Sequence, residues 1–313
     1  MHFAYPSRKA SNPPPFKPRS SRFPVLLRKG RLRTIALFGV AVLFLLYLFS
    51  GGSRQRTKSR HVPSGTPPVV MVTVLDSAHG LPYMETVREN RISYAKLHGY
   101  ETFFVHVGDY DLHGSAMSWT KVVAMRHALN KFPDCQYIWF LHQDAFIMNP
   151  KISLHKDILA PGKLNELMMR NQPVALPDSI IHTYQALKPD NVDLVVTQDA
   201  GGMSPDSMVI RNTEWAEFFL DTWYDPLYRG YNFQKAEIHA LEHIVQWHPT
   251  ILSKLALIPQ KFLNSYSRET LGQKYSDGDF VVRFAECTKT GDTSCQQEAG
   301  RYNELRLHAF ASA

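Results

Sequence analysis

The stretch "YIWFLHQDAFIMNP", residues 137–150, runs from an apolar strand into polar residues and a turn. In an extended segment side chains alternate, so His142 and Asp144 are expected on one side and Gln143 on the other. A carboxylate beside an imidazole suits a divalent ion, above all one that also takes oxygens from a diphosphate. A solvated strand end is the other reading, and the flanking sequence must decide between them.

Upstream, "PVVMVTVLD" (68–76) is a β-branched run of the kind buried on both faces of a parallel sheet. "YMETVRENRISYAKLHGY" has helical spacing and a Gly99 stop, and "ETFFVHVGD" reads as a second strand. "SWTKVVAMRHALNKFP" is a helix ended by Pro133, and "CQYIWFL" is a third strand. Strand, helix, strand, helix, strand predicts a doubly wound, mostly parallel α/β sheet. Ligands of such sheets bind beyond the carboxyl ends of the strands, where His142 and Asp144 lie. Downstream, "DSMVIRN" (206–212) reads as a strand before the helix "TEWAEFFLDTWYD". "KAEIHALEHIVQWHPTILSK" reads as one helix, "LALIPQKFLNSYS" as strand and loop, and "GDFVVRFAEC" as a further strand.

The formal charge of +7 over 313 residues is unevenly placed. No acidic residue precedes Asp76, and thirteen Lys/Arg lie in residues 1–60. From residue 61 on, 22 basic residues face 28 acidic ones, a balance of −6. A nucleic-acid binder carries its positive charge on the folded domain, so no nucleic-acid partner is expected. The basic flank surrounds "TIALFGVAVLFLLYLFSGGS", twenty uncharged residues from 34 to 53, or about 30 Å as helix. Seven Lys/Arg between Lys17 and Arg33, against four between Arg54 and Arg60, place the N-terminus in the cytosol. A cleaved signal peptide is the alternative, although a basic stretch of 33 residues is long for its leading region. The expected organisation is a disordered cytosolic tail (1–33), a transmembrane signal anchor (34–53), a Pro-rich stem (54–68) and a lumenal domain (69–313). Cys287 and Cys295 flank a short polar loop and can form a disulfide, while Cys135 reads as a buried thiol.

Two other sets of residues compete with His142 and Asp144. "HALEH" (239–243) matches the inverted zinc-peptidase pattern, but no downstream carboxylate has a distinguishing spacing, and a helix flank explains the two His equally well. Asp76, Lys121, Asp199, Asp206 and Glu237 are scattered polar residues read as near expected strand ends, each alone more readily a cap or surface group.

"NRISYAKLHGY", "SWTKVVAMRHAL", "YIWFLHQDAFIMNP", "SMVIRNTEWAEFFLDTWYDP" and "LIPQKFLNSYS", in that order, give the last set its context. Together they resemble glycosyltransferase family 34, in the branch of fungal Golgi α-1,6-mannosyltransferases of the mannan polymerase complex. The resemblance covers about residues 69–296. It implies a GT-A type nucleotide-sugar-binding fold, a type II Golgi membrane protein, and retaining, Mn²⁺-assisted transfer from GDP-mannose to an N-glycan α-1,6-mannan. It also implies partner mannosyltransferase subunits of the same complex. Asp144 matches the last Asp of the family's Asp-x-Asp and would ligate the metal. Lys121 and Asp76 would lie near the donor, and Glu237 would orient sugar or acceptor.

The sequence also departs from that pattern. His142 replaces the first Asp of Asp-x-Asp, Arg283 stands where the family has a late metal-ligand His, and Ser204 and Asp206 replace Asn and Gly. With His142 still able to ligate the metal and Arg283 offering a fork to phosphate, an altered but active site is expected. A weakly active or non-catalytic assembly subunit is the alternative.

Overall fold

A computed structural model describes residues 29–50, 63–175, 179–269 and 272–313. The chain divides into two units, Met1–His61 and Val62–Ala313. In the first, the described part is helix α1 (Lys29–Ser50), whose side chains from Thr34 to Phe44 are exposed. Among the described residues no helix is long and apolar enough to cross a membrane. Most of the expected tail, most of the stem and the end of the expected anchor lie outside the described residues; residues 29–33, expected in the tail, begin α1.

The second unit is built on a six-stranded sheet. Its strands are β1 (Val69–Leu75), β2 (Glu101–His106), β3 (Tyr137–Leu141), β5 (Leu194–Asp199), β6 (Gly202–Arg211) and β7 (Leu255–Leu257), in the order β2-β1-β3-β6-β5-β7. A smaller sheet orders β4 (Ala145–Ile147), β9 (Val281–Arg283) and β8 (Ser265–Tyr266). Around them lie α2 (Leu81–His98), α3 (Thr120–Lys131), α4 (Pro161–Leu167), α5 (Glu214–Trp223), α6 (Pro226–Gly230), α7 (Ala236–Trp247), α8 (Pro249–Leu252) and α9 (Cys295–Ala311).

β1 pairs in parallel with both β2 and β3, as the βαβαβ pattern requires. Period-two alternation then sends side chains to two cores. Val70, Val72, Ile138 and Phe140 pack on one face with Ala124 and Met125 of α3, Phe219 of α5 and Leu241 of α7. Val69, Met71, Trp139 and Leu141 pack on the other with Tyr94 of α2, Leu164 of α4 and Phe280. Helices therefore cover both faces, the doubly wound arrangement.

β6 is antiparallel to both β3 and β5, while β5 and β7 run parallel. Asp199 pairs with Gly202 across a two-residue link, and so short a connection can only reverse the chain. The sequence reading missed β5 and began β6 four residues late. It also ran α7 into α8, but Pro249 lacks the amide a continuing helix needs, and the helix ends at Trp247. α9 was not expected at all.

Candidate active site

The strand period fails at the residues that open the argument. β3 ends at Leu141, and Gln143 and Asp144 form a turn into β4, so simple alternation does not place these side chains. The turn is shaped from outside, by α2. Arg91, fully buried, donates to the carbonyls of His142 (2.9 Å) and Ala145 (2.8 Å). Burial pulls its guanidinium pKa down to about 9, still well above neutrality, so it remains a cation. Asn90 accepts from the Ile147 amide and donates to the Ile147 carbonyl, both at 2.9 Å. Tyr83 donates to the Gln143 carbonyl at 3.0 Å. Gln143, also buried, accepts from the Asp76 amide at 2.8 Å, tying this turn to the end of β1.

His142 and Asp144 end on one side all the same, with Nδ1 3.4 Å from Oδ2. Burial lowers the pKa of His142 against the pull of Asp144 and Asp206, so the ring is neutral at neutral pH. Both residues line a cavity of about 280 Å³ together with Asp76, Lys121, Asp206 and Glu237. Four of the five scattered polar residues thus come to one place. The fifth, Asp199, instead accepts from the hydroxyl of Tyr266 and the amide of Gly201.

Next to this pair, where the His142 amide donates to the Asp206 carbonyl at 2.7 Å, the charges close on one another. Lys121, in the first turn of α3, reaches Asp206 Oδ1 at 2.6 Å and Glu237 Oε1 at 2.9 Å. Arg283 reaches Asp206 Oδ2 at 2.5 Å and Ser204 Oγ at 3.4 Å. Burial opposes the charge on Asp206, but Arg283 and Lys121 outweigh it and hold its pKa far below the carboxylate range. Burial likewise opposes Lys121, and Asp206 with Glu237 reverse the sign and raise it. Three of the four departures from the resembled pattern, Ser204, Asp206 and Arg283, therefore make one cluster. Arg283 turns its donors to β6, so its fork is not open to a phosphate. Asp76 is paired with Lys289 at 2.7 Å and accepts from the Ala78 amide at 2.9 Å.

The donor set around Asp144 fits a first-row divalent ion: one carboxylate and a neutral imidazole. A ring nitrogen of His79 also lies within 4.8 Å of the Asp144 carboxylate, as does the sulfur of Cys295. That sulfur is bonded to Cys287, so it is no thiolate and no ligand. The sequence reading missed His79; it sits in no motif, three residues past Asp76. Cys135, outside the bridge, is buried.

"HALEH" is not built as a metal site. Glu242 accepts from the Met203 amide at 2.8 Å, His239 from the Lys235 amide at 3.3 Å, and His243 packs against the rings of Tyr228, Phe233 and Trp247. Glu242 also closes over Gly202, where φ is +118° and an added Cβ would lie 2.0 Å from its Oε1.

Comparison with known proteins fits this geometry. An α-1,2-galactosyltransferase of Schizosaccharomyces pombe, itself described as uncharacterized, is 32% identical over 261 residues, 80% of this chain and 78% of its own. A Saccharomyces cerevisiae protein named as a probable alpha-1,6-mannosyltransferase, MNN11, is 30% identical over 266 residues, 77% of this chain and 62% of its own. A crystal structure of a glycosyltransferase involved in glycosylation of the major capsid of PBCV-1 overlays with a TM-score of 0.51 at 11% identity. It covers 77% of this chain and 100% of that one, and so supports the mixed α/β glycosyltransferase fold. Residues 65–294 match the family described as the galactosyl transferase GMA12/MNN10 family, and the chain is a member of that family, glycosyltransferase family 34.

Proposed function

We propose that the chain transfers a mannosyl group from GDP-mannose to an α-1,6-mannan acceptor on N-glycans, with retention at C1. The observation that carries the reading is the position of Asp144: beyond the carboxyl end of β3, in a cavity shared with Lys121, Asp206 and Glu237. Asp144 and His142 would hold a Mn²⁺ ion, which when bound neutralises the donor diphosphate. Lys121 and Arg283 add fixed positive charge behind Asp206, and Asp76 lies where it can face the nucleotide. Glu237, held by Lys121, presents a fixed carboxylate toward sugar or acceptor.

In the transfer, the bond from C1 to the phosphate oxygen breaks and a bond from C1 to the acceptor oxygen forms on the same face. The departing phosphate oxygen takes the acceptor proton. The protein's part is to orient both substrates and exclude water.

UDP-galactose is a second donor reading, favoured by the relative named as an α-1,2-galactosyltransferase. A non-catalytic assembly subunit of a Golgi mannosyltransferase complex is a third, favoured by the closure of Arg283 onto Asp206. The proposed setting is the Golgi membrane, with α1 as part of a signal anchor and the domain lumenal. Its support is the uncharged run 34–53 beside a basic flank and the Cys287–Cys295 bridge, which suits an oxidising compartment.

The test is sugar transfer by the purified chain with GDP-mannose and with UDP-galactose, each with Mn²⁺ and with chelator. Transfer from GDP-mannose that stops in chelator supports the reading. Transfer from UDP-galactose alone replaces the donor, and no transfer from either leaves the assembly reading.

A further inference from the structure

Resting on that reading, we propose that His79 supplies an imidazole ligand, independent of His142, to the divalent ion held at Asp144. His79 is nine-tenths buried, lines the cavity, and has a ring nitrogen within 4.8 Å of the Asp144 carboxylate. Its Nδ1 is buried and has no hydrogen-bond partner. A buried polar atom left so costs stability unless something bonds to it. His142 differs, because its Nδ1 already accepts from the Asp144 amide at 3.2 Å.

The backbone builds this position deliberately. Asp76 caps the turn Ser77–His79 through the Ala78 amide, and Gly80 ends it at φ +86°, a conformation costly for other residues. The Asp76 amide is in turn fixed to Gln143, the neighbour of Asp144. The ring of Tyr83 packs 5.8 Å from that of His79, and its hydroxyl lies 3.4 Å from Asp144 Oδ1. The two turns are therefore cross-linked, and the imidazole and the carboxylate are held in fixed relation before any ion arrives. Such prior placement is what tight metal sites share.

The experiment titrates the full chain with Mn²⁺ alone, followed by electron paramagnetic resonance, without reductant so that the Cys295 sulfur stays bonded to Cys287. His79→Ala and His79→Gln are expected to weaken Mn²⁺ binding at least tenfold, and Asp144→Asn to abolish it. Affinity within twofold of the unsubstituted chain in both His79 variants overturns the proposal, as does the absence of Mn²⁺ binding by the unsubstituted chain. Should the His79 variants not fold, pulsed resonance on His142→Ala counts coordinated imidazole nitrogens. One supports the assignment; none overturns it. Failure here alone, with transfer still metal-dependent and lost in Asp144→Asn, leaves the mannosyltransferase reading standing. Failure of transfer with intact His79-dependent Mn²⁺ binding removes that reading and keeps the ion site.

Discussion

The two carboxylate clusters of the cavity treat charge in opposite ways. Around Asp206, two cations and two carboxylates meet within hydrogen-bond reach, and their formal charges cancel. Around Asp144, one carboxylate faces imidazole rings and no Lys or Arg pairs with it among the described ion pairs. The first set is balanced in charge without a ligand and cross-links β6, α3, α7 and β9. The second is left with a charge and an unused ring nitrogen, which is the state expected of a group that awaits a partner. A carboxylate in this cavity can thus serve the fold or the chemistry, and its charged neighbours decide which.

If that contrast is right, substitutions in the two clusters will separate stability from activity. The largest effect is expected for Asp206→Ala, which strands two buried cations. Unfolding in urea should show a loss of about 3–5 kcal/mol. A loss below about 1 kcal/mol would mean that the cluster is not a structural unit. Next is Asp144→Asn, which should lower transfer at least ~100-fold, about 2.7 kcal/mol at 1.36 per decade. Its unfolding free energy should stay within about 1 kcal/mol of the unsubstituted chain. Equal losses of stability at Asp144 and Asp206 would erase the distinction.

Acid gives a third and smaller effect. The pKa of Asp206 is depressed in the folded chain, so its contribution is present above the unfolded value of about 3.9 and fades as pH falls below it toward the folded one. Stability should therefore drop more steeply below about pH 4 in the unsubstituted chain than in Asp206→Asn; parallel curves would contradict the assignment. The smallest effect belongs to the exposed pair at the rim. Lys289→Ala, which frees Asp76 from a largely solvent-exposed partner, should cost no more than about 0.5 kcal/mol by thermal unfolding.

The sequence is readable in this protein where contacts are local. β1, α2, β2, α3 and β3 follow one another in 73 residues, each with a clear period and a Gly or Pro stop, and all five were legible. β5 was not, because "LVVTQD" has only three apolar residues before polar ones, too few to show a period. α9, "CQQEAGRYNELRLHAFA", hides its buried positions behind polar ones: Glu298 and Arg306 are buried, paired with Arg268 and Glu89. In the site, Asp144, Lys121, Asp206 and Glu237 could be named as polar residues near expected strand ends, although Lys121 and Glu237 open helices, but their grouping could not. Lys121 and Asp206 lie 85 positions apart, and no spacing rule spans that distance. His79 was invisible for another reason: its significance is an unsatisfied ring nitrogen, a property of the folded interior and not of any residue pattern.

Arg91, Asn90 and Tyr83 have one more consequence. The bend that carries Asp144 owes much of its form to a helix some fifty positions earlier, through bonds that end on main-chain carbonyls and amides. Its own side chains can be exchanged without touching those bonds, whereas a designer who transplants residues 142–145 alone leaves the mould behind. Even the whole run 69–147 would leave behind the Phe284 amide bound to the Asp144 carbonyl and the Asp206 carbonyl bound to the His142 amide.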